Sequence, residues 1–249
     1  MAKKQIFAAV VISVASFFVF GQKAHAATIN VVAGNDGVVA NGQCQLSEAI
    51  QNVSNQAATY PDCIAGNGSD YAISLSNGVI TLTSNLANAT RGLKIIGASK
   101  AGTTMNANGF IGLIMALSPV KTYDVTLENL TLNGALDFGF SIQSAKNVVM
   151  KNVKTDNSDS GVKIVGADLI SLNDCDITNN NNPLTNGDQN AGLTIEDSNS
   201  ITISGLKIIN NKVSSTGSAV SGLSMIGAKN TLIKNTTIMG NTSSLASGL

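Results

Sequence analysis

Carboxylates carry most of the chemical capacity of this chain. Asp174 and Asp176 flank Cys175 in "NDCDIT", Glu196 and Asp197 are adjacent in "GLTIEDS", and Asp156 and Asp159 fall in "TDNSDS". Two carboxyl groups that face each other can cleave a glycosidic bond, one as acid and the other as base or nucleophile. Strand alternation would point Asp174 and Asp176 outward, with Asp156 or Asp159 as potential partners. Glu196 and Asp197 read better as a solvated turn. Little else could assist catalysis. The one histidine, His25, lies near the N-terminus, the one arginine, Arg91, is far in sequence from these acids, and Cys175 has no base to activate it. The segment "NDCDITNNNNPLTNGDQN", Asn173 to Asn190, is rich in the oxygen ligands that calcium takes. It lacks both an EF-hand loop and a glycine-rich calcium repeat, so it reads as a solvated loop, and no cofactor or metal is expected.

The chain opens with Lys3 and Lys4, runs apolar from Ile6 to Phe20, and reaches "AHA" at Ala24 to Ala26. That pattern reads as a secretory signal peptide, residues 1–26, cleaved after Ala26. The expected protein is exported, secreted or held at a cell surface, with no membrane span in the mature chain. Removing Lys3, Lys4 and Lys23 leaves 12 basic against 15 acidic side chains, and no basic stripe that would suit nucleic acid. Without His25, imidazole is unavailable for acid–base work or metal ligation. The chain holds 29 Asn and few aromatics, a composition suited to a turn-rich β structure.

Repeats supply the elements that must position any site. Five segments align from Asp124 onward, starting at Val125, Val148, Ile170, Ile201 and Thr231, spaced 23, 22, 31 and 30 residues apart. Each has inward candidates at offsets 0, 2, 5 and 7 from its start, as in Ile201, Ile203, Leu206 and Ile208, the signature of two short strands split by one residue. A second block, "GFSIQSA", "GVKIVGA", "GLTIEDS" or "GLSMIGA", follows in the first four. Stacked coils of this kind predict an all-β parallel solenoid over 76–249. A leucine-rich repeat also fits "ISGLKIINNKV", but the alternating second blocks argue against it. Asn180, Asn211 and Asn241 share offset 10, where Asn tolerates a left-handed turn and can bond the neighbouring coil. The final "SLASGL" parallels "SAVSGL" of the preceding coil, so a further strand is expected to begin there and the chain reads as truncated.

Upstream, "CQLSEAIQNVSNQAATYPDC", Cys44 to Cys63, closely resembles the CSLREA-type domain that begins many secreted bacterial right-handed parallel β-helix proteins of the pectin-lyase-like superfamily. The resemblance rests on C-x-L-x-E-A-I and a second cysteine, and it extends into the first coils through "GVITLTSNLANATRGLKIIGASKAGTTMNANG". It implies a right-handed parallel β-helix with a short N-terminal capping helix within 27–75. Leu46, Ala49, Ile50 and Val53 have the spacing such a helix would bury. It also implies a Cys44–Cys63 disulfide, which leaves Cys175 as a buried core thiol. Gln45 stands where the family has Ser, so the capping box with Glu48 is expected to be lost. Of the polygalacturonase-like motifs in that superfamily only a partial "TDN", Thr155 to Asn157, is present.

From coil start to second-block glycine the interval is 14 and 13 residues in the first two coils but 22 and 21 in the next two. Stacking must place both insertions on one side, as a ridge bearing Asn181, Asn182, Asp188, Gln189 and Asn190 from one coil and Lys212, Ser214, Ser215 and Thr216 from the next. Insertions of this kind commonly bind. Amide, hydroxyl and mixed-charge groups suit a carbohydrate or cell-surface ligand. The sequence therefore points to a recognition or adhesion scaffold without its own catalytic site, the alternative being a polysaccharide lyase or glycoside hydrolase.

Overall fold

The computed structural model describes residues 27–66, 71–183, 189–214 and 219–243, with backbone alone at Gln189 and Ala219. The proposed signal peptide, the final "SLASGL", Asp188, Ser215 and Thr216 lie outside the described residues.

Alternation within each coil produces the strands, and every strand pair is parallel. In the larger sheet, Thr28–Val31, Ala72–Leu75, Leu93–Ile96, Asp124–Asn133, Asn147–Asp156, Leu169–Asn173, Ile201–Ser204 and Thr231–Lys234 stack in that order. A second row of shorter strands, from Gly34–Asp36 to Thr237–Met239, continues the same sheet past a bend. The second blocks form their own sheet: Leu113–Ala116, Phe138–Gln143, Ser160–Val165, Leu193–Glu196 and Leu223–Ile226. Because "GVKIVGA" and its counterparts are strands of a second sheet, the fold is an all-β parallel β-helix and not a leucine-rich repeat. The stack also begins earlier than the five aligned segments, at Thr28.

The predicted inward offsets fill the core in the four coils that start at Val125, Val148, Ile170 and Ile201, while in the coil that starts at Thr231 the same offsets are exposed or half-buried, Ile233 at 39%. Val125, Leu127, Leu130 and Leu132 are fully buried, as are Ile203, Leu206 and Ile208, and Cys175 occupies the same interior row. Burial pushes its thiol up to about 11, so it is an inert packing group. The bend at offset 4 is made by one left-handed residue per coil: Asn129, Asn152, Asp174, Gly205 and Asn235. A second left-handed column stands at offset 9, in Gly134, Asn157, Asn179, Asn210 and Gly240. Asn and Gly are the residues that reach this region at least cost. Left-handed conformation therefore belongs to the position before the predicted offset-10 asparagines. Those point inward instead. Asn180 and Asn211 are fully buried; Asn211 Oδ1 accepts from Asn180 N (3.0 Å) and Nδ2 (2.9 Å), while Asn211 Nδ2 donates to Asn241 Oδ1 (2.9 Å) and to Ile177 O (2.9 Å).

The cap inserts between the first and second coils as one helix, Leu46–Asn55, which packs its buried Leu46, Ala49, Ile50 and Val53 into the core at the Thr28–Val31 end. Cys44 and Cys63 form the disulfide that closes this segment. The capping box is half retained. Glu48 Oε2 accepts from Gln45 N (3.2 Å), yet the buried Gln45 Oε1 makes no hydrogen bond. Gln45→Ser, with an oxygen short enough to meet the Glu48 N–H, should raise stability by about 1 kcal/mol. Denaturant melts of the two proteins would show this as a higher midpoint, and an unchanged or lower midpoint would refute the cap assignment.

Candidate functional site

The insertions stack as the intervals require. Asn181–Asn182 pairs with Lys212–Val213, which pairs in turn with Thr242–Ser243, and Gln189–Asn190 pairs with Ala219–Val220. Asn181, Lys212 and Ser214 are exposed and Asn190 is half-buried. Asn182 is turned inward, 3% exposed, and its Nδ2 donates to Ser160 Oγ (3.0 Å). It supports the ridge from beneath and does not present its amide to a ligand. In a two-residue strand the alternation had too few positions to reveal that.

The candidate acids are not paired with one another in the way the sequence invites. Register places Asp176 beside Lys154 and Asp156 beside Thr178. Asp176 Oδ2 lies 2.8 Å from Lys100 Nζ, an ion pair that reaches across from a coil 76 residues upstream. Lys154 Nζ is 2.9 Å from Asp156, whose carboxylate also accepts from Thr178 Oγ1 (2.6 Å) and Asn179 Nδ2 (2.9 Å). Burial would raise the Asp156 pKa, but these hydrogen bonds and the lysine hold it below the ordinary carboxylate value. Such groups are committed to holding the outer face of the larger sheet. Asp174 makes a left-handed bend. Glu196 sits 3.4 Å from Lys163 Nζ, and Asp197 occupies an exposed left-handed turn, as its solvated reading required.

A different carboxylate pair lies beside the ridge. Asp137 and Asp159 each stand two residues before a second-block glycine, and the Phe138–Ser160 register brings them side by side, with Asp137 N donating to Asp159 Oδ2 at 3.4 Å. Asn190 holds the equivalent position in the next coil. Burial first, and then the Asp159 charge, raise the Asp137 pKa, while Lys163 works against both. Lys163 Nζ lies 5.8 Å from the centroid of the half-buried Phe138 ring. The spacing of Asp137 and Asp159 from their glycines was visible in the sequence and would have marked this pair. Asp137, Asp159 and Asn190 thus line the entry to the second-sheet strands beside the ridge, and Lys163 connects Phe138 near that entry with Glu196 at the far end of the next strand. Among the described residues, no group of three His, Cys, Asp or Glu side chains is placed to hold a metal ion. Among the same residues, no helix is long and apolar enough to cross a membrane.

A family model described as the right-handed β-helix region matches residues 120–248, just over half of the chain. No curated protein and no solved structure matches it.

Proposed function

Because the chain belongs to the right-handed β-helix family, whose scaffold is of the pectin-lyase-like kind, we propose that it is an exported recognition or adhesion scaffold that binds carbohydrate at a cell surface. The observation that carries this reading is the stacking of two consecutive insertions into one ridge, with Asn181, Lys212 and Ser214 exposed along it. Amides, hydroxyls and an ammonium match the hydrogen-bonding surface of a sugar, and rigid strands beneath the ridge limit the entropy lost on binding. Export is supported by the Cys44–Cys63 bridge, since disulfides persist in oxidising compartments. Shortening both insertions to the length of the Val148 coil should leave the melting curve cooperative and reduce glycan-array or host-surface binding at least ~10-fold. Undiminished binding by the folded variant would place the site elsewhere.

One observation favours a second reading, glycoside hydrolysis. Asp137, with its raised pKa beside the Asp159 charge, has the attributes of a general acid next to a carboxylate. Incubation with acidic and neutral glycans, followed by assays for new reducing ends and for unsaturated products, separates the two. Activity that disappears in Asp137→Asn would favour hydrolysis; glycan binding without any product supports the scaffold.

A further inference from the structure

We propose that Arg91, Tyr71 and Tyr123 form an oxyanion-binding site at the corner where three successive coils enter the larger sheet. Arg91 stands two residues before Leu93–Ile96, and Tyr71 and Tyr123 immediately precede Ala72–Leu75 and Asp124–Asn133, three neighbouring strands whose registers pair Ala72 with Lys94 and Leu93 with Val125. This corner is formed by the early coils next to the cap. It shares no residue with the ridge or with the Asp137–Asp159 edge, so the inference stands whether or not the ridge binds sugar.

The donors are convergent and underused. Arg91 is half-buried, and one of its guanidinium N–H groups donates to Tyr123 Oη (3.1 Å) while the guanidinium carbon lies 5.8 Å from the Tyr123 ring centroid. Among the described residues it makes no ion pair, and the ion pairs there all join a lysine to a carboxylate. Tyr71 is 6% exposed and its hydroxyl has no hydrogen-bond partner of good geometry. Burial raises its pKa, while a hydrogen-bonding approach of the Gln56 side chain and then the Arg91 charge act in the opposite direction. A guanidinium has five N–H donors and no acceptor. Tyr123 Oη, having accepted one of them, retains its own O–H to donate, and Tyr71 brings another.

A buried phenol whose own O–H has no acceptor of good geometry and a half-buried guanidinium without a carboxylate partner among the described residues would both be satisfied by the same group. That group must be anionic and must offer several acceptor oxygens. Carboxylate fits the planar fork of Arg best; sulfate and phosphate present the same oxygen edge. A lysine in this place would supply charge without the fork, which is why the single arginine of the chain at this position is informative.

That single arginine also gives the test, because the Arg91 side-chain Nε–H resonance is unique in the NMR spectrum. The chain would be titrated with sodium glucuronate, sodium sulfate and sodium phosphate, with glucose as the neutral control. Saturable shifts of the Arg91 signal are expected at anion concentrations of roughly 1–10 mM, and none with glucose. Arg91→Lys, followed on backbone resonances of Gly92 and Tyr123, should weaken binding ~10-fold. Tyr71→Phe should weaken it several-fold without lowering the melting temperature, since it removes an unpaired hydroxyl. Binding of glucuronate alone would assign the site to an acidic sugar, and equal binding of all three anions to free oxyanions in general. Absence of saturable shifts with every anion up to about 50 mM, or folded variants that bind like the unaltered chain, would overturn the proposal.

Discussion

Gly192→Ala should destabilise the protein by about 3 kcal/mol or more, enough to abolish cooperative folding if the starting stability is ordinary. Gly192 opens a second-block strand, and a Cβ there would overlap Gly222 O, with Ser221 O only 2.6 Å away. Both are backbone atoms of the next coil, so no side chain can move aside. The same relation repeats down the stack: a Cβ at Gly161 would meet Gly192 O at 2.6 Å, and one at Gly139 would meet Gly161 O at 2.9 Å. Stacked parallel strands are spaced by about 4.8 Å, and relieving the overlap would lengthen that spacing locally and break the ladder on either side. Gly166→Ala is the control. Gly166 has φ +68° but nothing within 4 Å of a built Cβ, so only backbone strain is added, about 1 kcal/mol. Urea denaturation of the two variants should separate them clearly, and equal losses would show that close approach is not what fixes the glycine.

Asn211→Ala should cost about 3 kcal/mol. The substitution removes an oxygen that accepts two hydrogen bonds from Asn180 and an amide that donates to Asn241 Oδ1 and Ile177 O. Asn180 is fully buried, so its N–H and amide would be left without partners and without water. Asn211→Ser should recover part of the loss, because Ser158 fills the equivalent offset two coils earlier and its Oγ accepts from Ala135 N (3.1 Å). Melting temperatures in the order Asn, Ser, Ala are expected. A Ser variant as poor as Ala, or an Ala variant as stable as the parent, would contradict a load shared through the ladder.

How much of this was legible depended on the length of the pattern available. Offsets 0, 2, 5 and 7 recur five times, and aliphatics at those places can only face one way, so Ile201, Ile203, Leu206 and Ile208 were placed correctly from alternation alone. The helix was legible from Leu46, Ala49, Ile50 and Val53, whereas the Cys44–Cys63 bridge came from a family resemblance, since spacing does not fix a pairing. Asn182 was misplaced because two residues of strand carry no periodicity. The offset-10 asparagines bond the neighbouring coils as their column predicts, but the left-handed residue stands one position earlier, because Asn is good at both tasks and composition does not say which position takes which. Lys100 is 76 residues from Asp176, and nothing local in either segment announces the ion pair. It arises from three dimensions: a long side chain crossing the outer surface of intervening coils. The Asp137–Asp159 pair is legible as a repeated spacing, each acid two residues before a second-block glycine, and not as a run of neighbouring acids.

The two columns of left-handed residues at offsets 4 and 9 have a genetic consequence. Each coil turns its corners at the same places, and the parallel register sets equivalent positions of neighbouring coils side by side, as in Val148 with Ile170 and Ile170 with Ile201. A coil thus ends in the same geometry in which it began. Recombination that duplicates or removes one whole repeat would deliver the chain back in register, whereas a cut that is out of phase by one residue would turn its core outward. Descent can therefore lengthen or shorten such a molecule like a ruler graduated in steps of about 4.8 Å, carrying a loop of any size at a chosen graduation while the rest is copied unchanged.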